Sequence, residues 1–137
     1  MRRYLLDTPA VAALLNDRPA AVRLMRPWLT NHEAATSALV YAEVIEYIKG
    51  FVDYPRYQRA LRILLREVRP YTPTYAILER YADVRRQMRP PYGPGLIGDI
   101  DTLIAATALE RNFLPVTTDT DFQRVPGLQV HLLPHLR

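Results

Sequence analysis

An α/β fold is what this 137-residue sequence predicts: three layers, with helices on both faces of a central, mainly parallel sheet of four to five strands. Three observations predict it. Short apolar stretches alternate with longer stretches of helical period along the whole chain. Apolar residues make up 49% and charged residues 23%, an ordinary globular balance that argues against disorder. No repeat, low-complexity tract or linker divides the chain, so residues 1–137 read as one domain.

Tyr4-Leu5-Leu6 reads as a buried strand that stops at Asp7. Pro9 suits the first turn of a helix reaching about Asn16, and Pro19 to Leu29 forms a second helix, the pair making a hairpin. Ala34 to Ser37 is a strand ending in helix-capping residues. From Ala38 to Gly50, Tyr41, Val44, Ile45 and Ile48 recur every three or four residues, so this is a helix with Glu43 and Glu46 off its apolar stripe. Arg56 to Val68 is amphipathic, with Tyr57, Leu61, Leu64 and Val68 opposite Arg56, Arg59, Arg62 and Arg66. Arg69 to Thr72 is a strand, and Pro73 opens a helix to about Arg89. Pro90, Pro91, Gly93, Pro94 and Gly95 then break the chain. Asp99 is placed to cap a helix, Ile100 to Arg111, whose apolar run Leu103-Ile104-Ala105-Ala106 should be buried on most sides. Leu114 to Thr117 is a strand, Asp119 to Phe122 a turn or short helix, and Leu128 to Leu133 a final strand.

Several chemistries are excluded. Cysteine is absent, which removes disulfides, thiolate metal sites and cysteine nucleophiles. No serine sits in a nucleophile elbow, and no Gly-rich phosphate loop exists. The apolar runs fall far short of the ~18 residues a membrane span needs. The N-terminus turns acidic at Asp7, too soon for a signal peptide, so a cytoplasmic protein without a membrane partner is expected. The net charge is +4, and Lys49 is the single lysine among 18 Lys and Arg residues. Arginine forks onto phosphate and stacks on bases, which suits a nucleic-acid partner, though coding bias gives the same skew.

In parallel α/β sheets the site lies beyond the carboxyl ends of the strands. Asp7 follows the first strand and Asp119 the fourth; Asp99 and Asp101 open the buried helix; Glu43 leans back toward the strand ends. Each acid also has a structural use. Asp7 and Asp99 suit helix caps, Asp101 suits a helix first turn, Asp119 and Asp121 suit a tight turn, and Glu43 suits a solvated face. Their convergence on one rim is what favours a site. Crowded carboxylates repel, and hard oxygen donors in this number suit Mg2+ or Mn2+.

The chain resembles the PIN-domain ribonucleases, specifically the VapC-type toxins of bacterial type II toxin–antitoxin pairs. The likeness runs through Tyr4-Leu5-Leu6-Asp7-Thr8, Thr36-Ser37 with Ala42-Glu43-Val44, Ile97-Gly98-Asp99-Ile100-Asp101-Thr102-Leu103-Ile104-Ala105-Ala106, and Val116-Thr117-Thr118-Asp119-Thr120-Asp121-Phe122, closing at Val125 to Leu128. It implies a metal-dependent endoribonuclease with Asp7, Glu43, Asp101 and Asp119 as catalytic metal-site acids. Asp99 ranks second as a metal ligand, and Asp121 matches an acid that caps the last turn. Thr8 and Thr117 match supporting hydroxyl positions. The resemblance also implies an RNA substrate, a small cognate antitoxin and a homodimer. Arg85, Arg86, Arg89 and Tyr92 are the candidate RNA contacts, with the Arg56 to Arg66 stripe behind them. The hairpin near Leu14 to Leu29 and the helix carrying Tyr41 to Tyr47 are candidate docking faces, while Trp28 reads as core. His32, His131 and His135 match none of these blocks. The alternatives are a non-catalytic PIN-type module that binds RNA or protein, and a metal-dependent phosphatase. The phosphatase pattern needs Asp-x-Asp after the first strand, where Pro9 stands here.

Overall fold

The computed structural model describes residues 1–134; His135 lies outside the described residues. The chain runs β1 (Tyr4–Leu6), α1 (Thr8–Leu15), α2 (Pro19–Thr30), β2 (Ala34–Ser37), α3 (Ala38–Ile48), α4 (Tyr54–Leu64), β3 (Arg69–Tyr71), α5 (Tyr75–Met88), α6 (Asp99–Arg111), β4 (Leu114–Thr117), a 3-10 turn (Thr120–Arg124) and β5 (His131–Leu132). The five strands lie in the order β3-β2-β1-β4-β5, and every neighbouring pair is parallel. This is the three-layer α/β/α fold read from the sequence. Helix α1 packs against α2, α3 and α4, while α5 and α6 pack on each other.

The chain steps outward from β1 through β2 to β3, then returns to add β4 and β5 on the other side. The switch falls between β1 and β4, where Leu6 is level with Val116. Chain crossovers diverge there and leave a crevice beyond the strand ends. Asp7 and Asp119 stand at the carboxyl ends of those two strands.

Burial explains the elements. Leu5 and Leu6 are fully buried, as expected of a strand covered on both faces. Helix α6 buries Thr102, Ile104, Ala105, Ala106, Thr107 and Ala108. Its buried threonines stay satisfied because Thr102 Oγ1 donates to the Gly98 carbonyl and Thr107 Oγ1 to that of Leu103, each at 2.8 Å. Trp28 is half-buried at the edge of the core: it stacks on Tyr4 with ring centroids 4.0 Å apart and packs against the main apolar cluster.

Three local expectations are corrected. Gly98, not Asp99, is the N-cap of α6, and Asp99 is the first helical residue. The final strand is only His131–Leu132, because Leu128 to Val130 run past β4 without pairing. Thr74, not Pro73, sets the start of α5, its hydroxyl accepting from the Ile77 amide at 3.3 Å.

The Pro/Gly segment is fastened down. The Gly95 amide donates to the Met88 carbonyl at 2.8 Å, and Arg124 Nη2 donates to the Gly95 carbonyl at 2.9 Å. A Cβ at Gly93 would lie 2.0 Å from the Gln87 carbonyl oxygen, so only glycine lets the loop turn back this closely on α5.

Candidate active site

Asp7 occupies the N-cap position of α1 but makes no side-chain cap. Its carboxylate turns instead toward the end of β4. Oδ2 accepts from Thr117 Oγ1 at 2.7 Å. Oδ1 is buried and has no hydrogen-bond partner. The residue is only 4% exposed, so this oxygen has no route to solvent to make good the deficit. Burial pushes the Asp7 carboxyl above its ordinary value; the Thr117 hydroxyl and the Thr8 amide oppose this, and the charges of Glu43 and Asp119 add to it.

Asp101, on the first turn of α6, faces the same crevice. Burial pushes its carboxyl up to about 6, helped by the charges of Asp7, Asp119, Glu43 and Asp121, in that order. Every one of these leading influences raises it. Glu43 reaches in from α3 and is held there by Thr8, whose Oγ1 donates to Oε1 at 2.6 Å. Asp119 is held twice: its amide donates to Thr117 Oγ1 at 3.1 Å, and its Oδ1 accepts from the Asp121 amide at 2.9 Å. Thr117 therefore links the two acids at the ends of β1 and β4.

The structure thus places Asp7, Glu43, Asp101 and Asp119 within electrostatic reach of one another, with Thr8 and Thr117 beside them. The four acids do not form a finished coordination shell. Among the described residues no three Asp, Glu or His side chains close on one point. Oxygens of Glu43 and Asp119 are turned toward Thr8 and Asp121 instead, as expected of like charges without a neutralising partner. The donors are hard oxygens, and the orphaned Asp7 Oδ1 is a vacant acceptor among them. That combination fits a divalent ion such as Mg2+ or Mn2+.

Other residues fall elsewhere. Asp99 faces α5, where its Oδ1 accepts from Arg85 Nη1 at 2.7 Å and from the Tyr81 hydroxyl at 3.1 Å. Arg86 and Arg89 are exposed on the last turns of α5, and Tyr92 projects with 81% of its surface exposed. Asp121 does not cap the last turn; Asp119 does, while Asp121 pairs with Arg124 at 3.5 Å. Sequence reading misses Arg124, which ties this turn to the Pro/Gly loop. It also misses Tyr81, although Tyr81 and Arg85 at i, i+4 share one face of α5.

A model of the PIN domain matches residues 4–128. No match is found among curated proteins. Among solved structures the chain is similar to VapBC-1 from nontypeable Haemophilus influenzae, with 27% identity over 94% of this chain and 96% of that one, and a TM-score of 0.79. It is similar to VapBC2 from Rickettsia felis, solved bound to a DNA fragment from their promoter, with 23% identity over 96% and 98% of the two chains and a TM-score of 0.83. Mycobacterium tuberculosis VapC20, described as a sarcin-ricin loop cleaving toxin, aligns over 96% of this chain and 99% of that one at 19% identity, with a TM-score of 0.63. The likeness to VapC-type proteins that the motif blocks carry is borne out by these neighbours. One family match spans every segment that delivers an acid to the crevice, and the chain belongs to the PIN domain family.

Proposed function

We propose that this chain is a metal-dependent endoribonuclease, the toxin of a type II toxin–antitoxin pair, which hydrolyses RNA phosphodiester bonds at the acid crevice. The observation that carries this reading is Asp7 Oδ1, a buried carboxylate oxygen with no partner, beside acids whose charges raise Asp7 and Asp101. Asp7 and Asp101 would hold the ion directly, with Asp119 and Glu43 completing the set. When bound, Mg2+ or Mn2+ supplies charge neutralisation at the phosphate and makes water a better nucleophile near neutral pH. The protein's part is positioning. Thr117 fixes Asp7 through Oδ2, and Thr8 fixes Glu43. A bound cation would favour the ionised form of Asp101, whose carboxyl burial and neighbouring acids raise.

The partners follow from the same reading. A groove of about 220 Å3 runs between α1, α2 and α4, lined by Leu14, Leu15, Ile63 and Leu64 and bridged by the Arg26–Glu67 pair. A small antitoxin is the proposed occupant. Tyr47, Tyr54 and Tyr75 are exposed aromatics for a homodimer contact. Among the described residues no helix is long and apolar enough to cross a membrane, and action on cytoplasmic RNA is proposed.

The test is incubation of the purified protein with structured RNA, with Mg2+ or Mn2+ and then with chelator, beside Asp7→Asn and Asp101→Asn. Cleavage that needs the metal and both carboxylates is expected. The second reading, a PIN-type module that binds without cutting, is favoured by one observation: no three acids close on a point. RNA binding with no metal-dependent cleavage would select it. Phosphomonoester turnover with intact RNA would select a phosphatase.

A further inference from the structure

Asp99 and Asp101 share the first turn of α6 but serve different neighbours. Successive helical residues turn by about 100°, so these two leave the helix on nearly opposite sides. Asp101 faces Asp7 and the other acids. Asp99 faces α5, where Arg85 and Tyr81 both meet its Oδ1. The Arg85 guanidinium also lies over the Tyr81 ring, 5.7 Å from its centroid.

The exposures within this trio are uneven. The Asp99 side chain is 71% exposed and that of Arg85 only 24%. An ion pair with so exposed a member adds little stability. What it does is fix the guanidinium in one place. The Arg85 guanidinium spends Nη1 on Asp99 and makes no other hydrogen bond within the described residues, so Nε and Nη2 keep their donors. A tethered fork with unused donors is preorganised for a second anion, and its planar geometry matches phosphate. Arg86 and Arg89 form no ion pair among the described residues and are exposed, so they contribute only a diffuse field. Arg85 is not among the leading influences on Asp101, which are burial and the charges of Asp7, Asp119, Glu43 and Asp121. It stands across the α6 terminus from the acids, beside them and not among them.

We propose that Arg85 is a phosphate-positioning residue at the rim of the acid crevice: tethered by Asp99 and Tyr81, it grips a backbone phosphate neighbouring the one that the acids act on. Asp99 then works through Arg85 and is not a metal ligand. The proposal rests on the nuclease reading for its substrate. It answers a need that reading creates, because a crevice of uncompensated carboxylates repels a polyanion unless a fixed cation flanks it.

The experiment is steady-state cleavage of a fluorescently labelled RNA stem-loop of mixed sequence with Mn2+, for wild type, Arg85→Gln, Arg85→Lys, Asp99→Asn and Tyr81→Phe, with thermal melting to confirm folding. Arg85→Gln is expected to raise KM by about 10-fold or more while kcat changes less than about twofold. Its log–log salt dependence should be shallower by about 0.7, the value of one lost phosphate contact on a single strand. Arg85→Lys should recover part of the KM, and Asp99→Asn and Tyr81→Phe should shift KM in the same direction by less. The Mn2+ midpoint should stay put in Asp99→Asn. Unchanged KM and salt slope in both folded Arg85 variants would overturn the proposal. So would a Mn2+ midpoint that moves as far in Asp99→Asn as in Asp101→Asn. Metal-free RNA binding, followed by anisotropy, separates the two readings. Weaker binding by Arg85→Gln with no cleavage by wild type would sink the nuclease and leave the phosphate contact standing. Normal cleavage and binding by Arg85→Gln would do the reverse.

Discussion

The two ends of the same sheet differ in kind. Where the strands begin, a recess of about 560 Å3 opens between Met1, Arg2, Arg3, Asn112 and Gln129. Its arginines are already engaged: Arg2 Nη1 donates to the carbonyls of Ala34 at 2.8 Å and Glu67 at 3.1 Å, and Arg3 Nη1 pairs with Glu33 at 3.3 Å. Where the strands end, acids gather around one buried oxygen with no partner, and a carboxyl is raised to about 6. Space marks the first end and unmet polar demand marks the second. Stored electrostatic cost, not volume, shows where a ligand has something to repair.

The largest expected difference between the two ends is in catalysis. Asp7→Asn and Asp101→Asn should each lower metal-dependent RNA cleavage by about 100-fold or more, some 2.7 kcal/mol at the barrier. Gln129→Ala, in the larger recess, should leave the initial rate within about twofold. Equal losses at both ends would erase the distinction. Next is stability: Mn2+ at ~100 times its Kd should stabilise the wild type by about 2.7 kcal/mol and Asp7→Asn by much less, read from thermal melting.

How far the sequence reveals this contrast follows from the range of the interactions. The strands are short apolar runs, and the rule that sites lie at their carboxyl ends singles out Asp7 and Asp119 before any coordinates. Helical lean brings Glu43 to the same rim. The unmet demand is not legible, because whether Asp7 caps α1 or turns inward depends on a hydroxyl at Thr117, far along the chain. Asp99 is misread as a cap because capping chemistry is local, whereas its true partners, Arg85 and Tyr81, lie on another helix. The division of labour between Asp119 and Asp121 is hidden for a different cause: both suit a turn, and only the backbone path decides which one accepts.

Two smaller effects refine the contrast. Thr117→Val keeps the shape but leaves both Asp7 oxygens without a hydroxyl donor. It should cost about 1–3 kcal/mol in urea unfolding at neutral pH and raise the Asp7 carboxyl further. The pH dependence has a definite sign. Asp101 is raised in the folded chain from 3.8 to about 6, so across that interval the folded state binds more protons than the unfolded one. Without added metal, this acid's contribution to stability should therefore fall as pH rises from about 3.8 to about 6 and level off above. Urea unfolding across that range should show a shallower fall in Asp101→Asn, and none of this fall with saturating Mn2+.

Substoichiometric Mn2+ added to isotope-labelled protein reports where a divalent ion sits, because its paramagnetism broadens only nearby amide signals. The signals of Asp7, Thr8, Asp101, Thr102 and Asp119 should vanish first, while those of Arg3, Asn112 and Gln129 persist, and Asp7→Asn should abolish the pattern. Broadening that begins at the Arg3 and Gln129 end, or spreads evenly over the surface, would contradict a metal site at the carboxyl ends of β1 and β4.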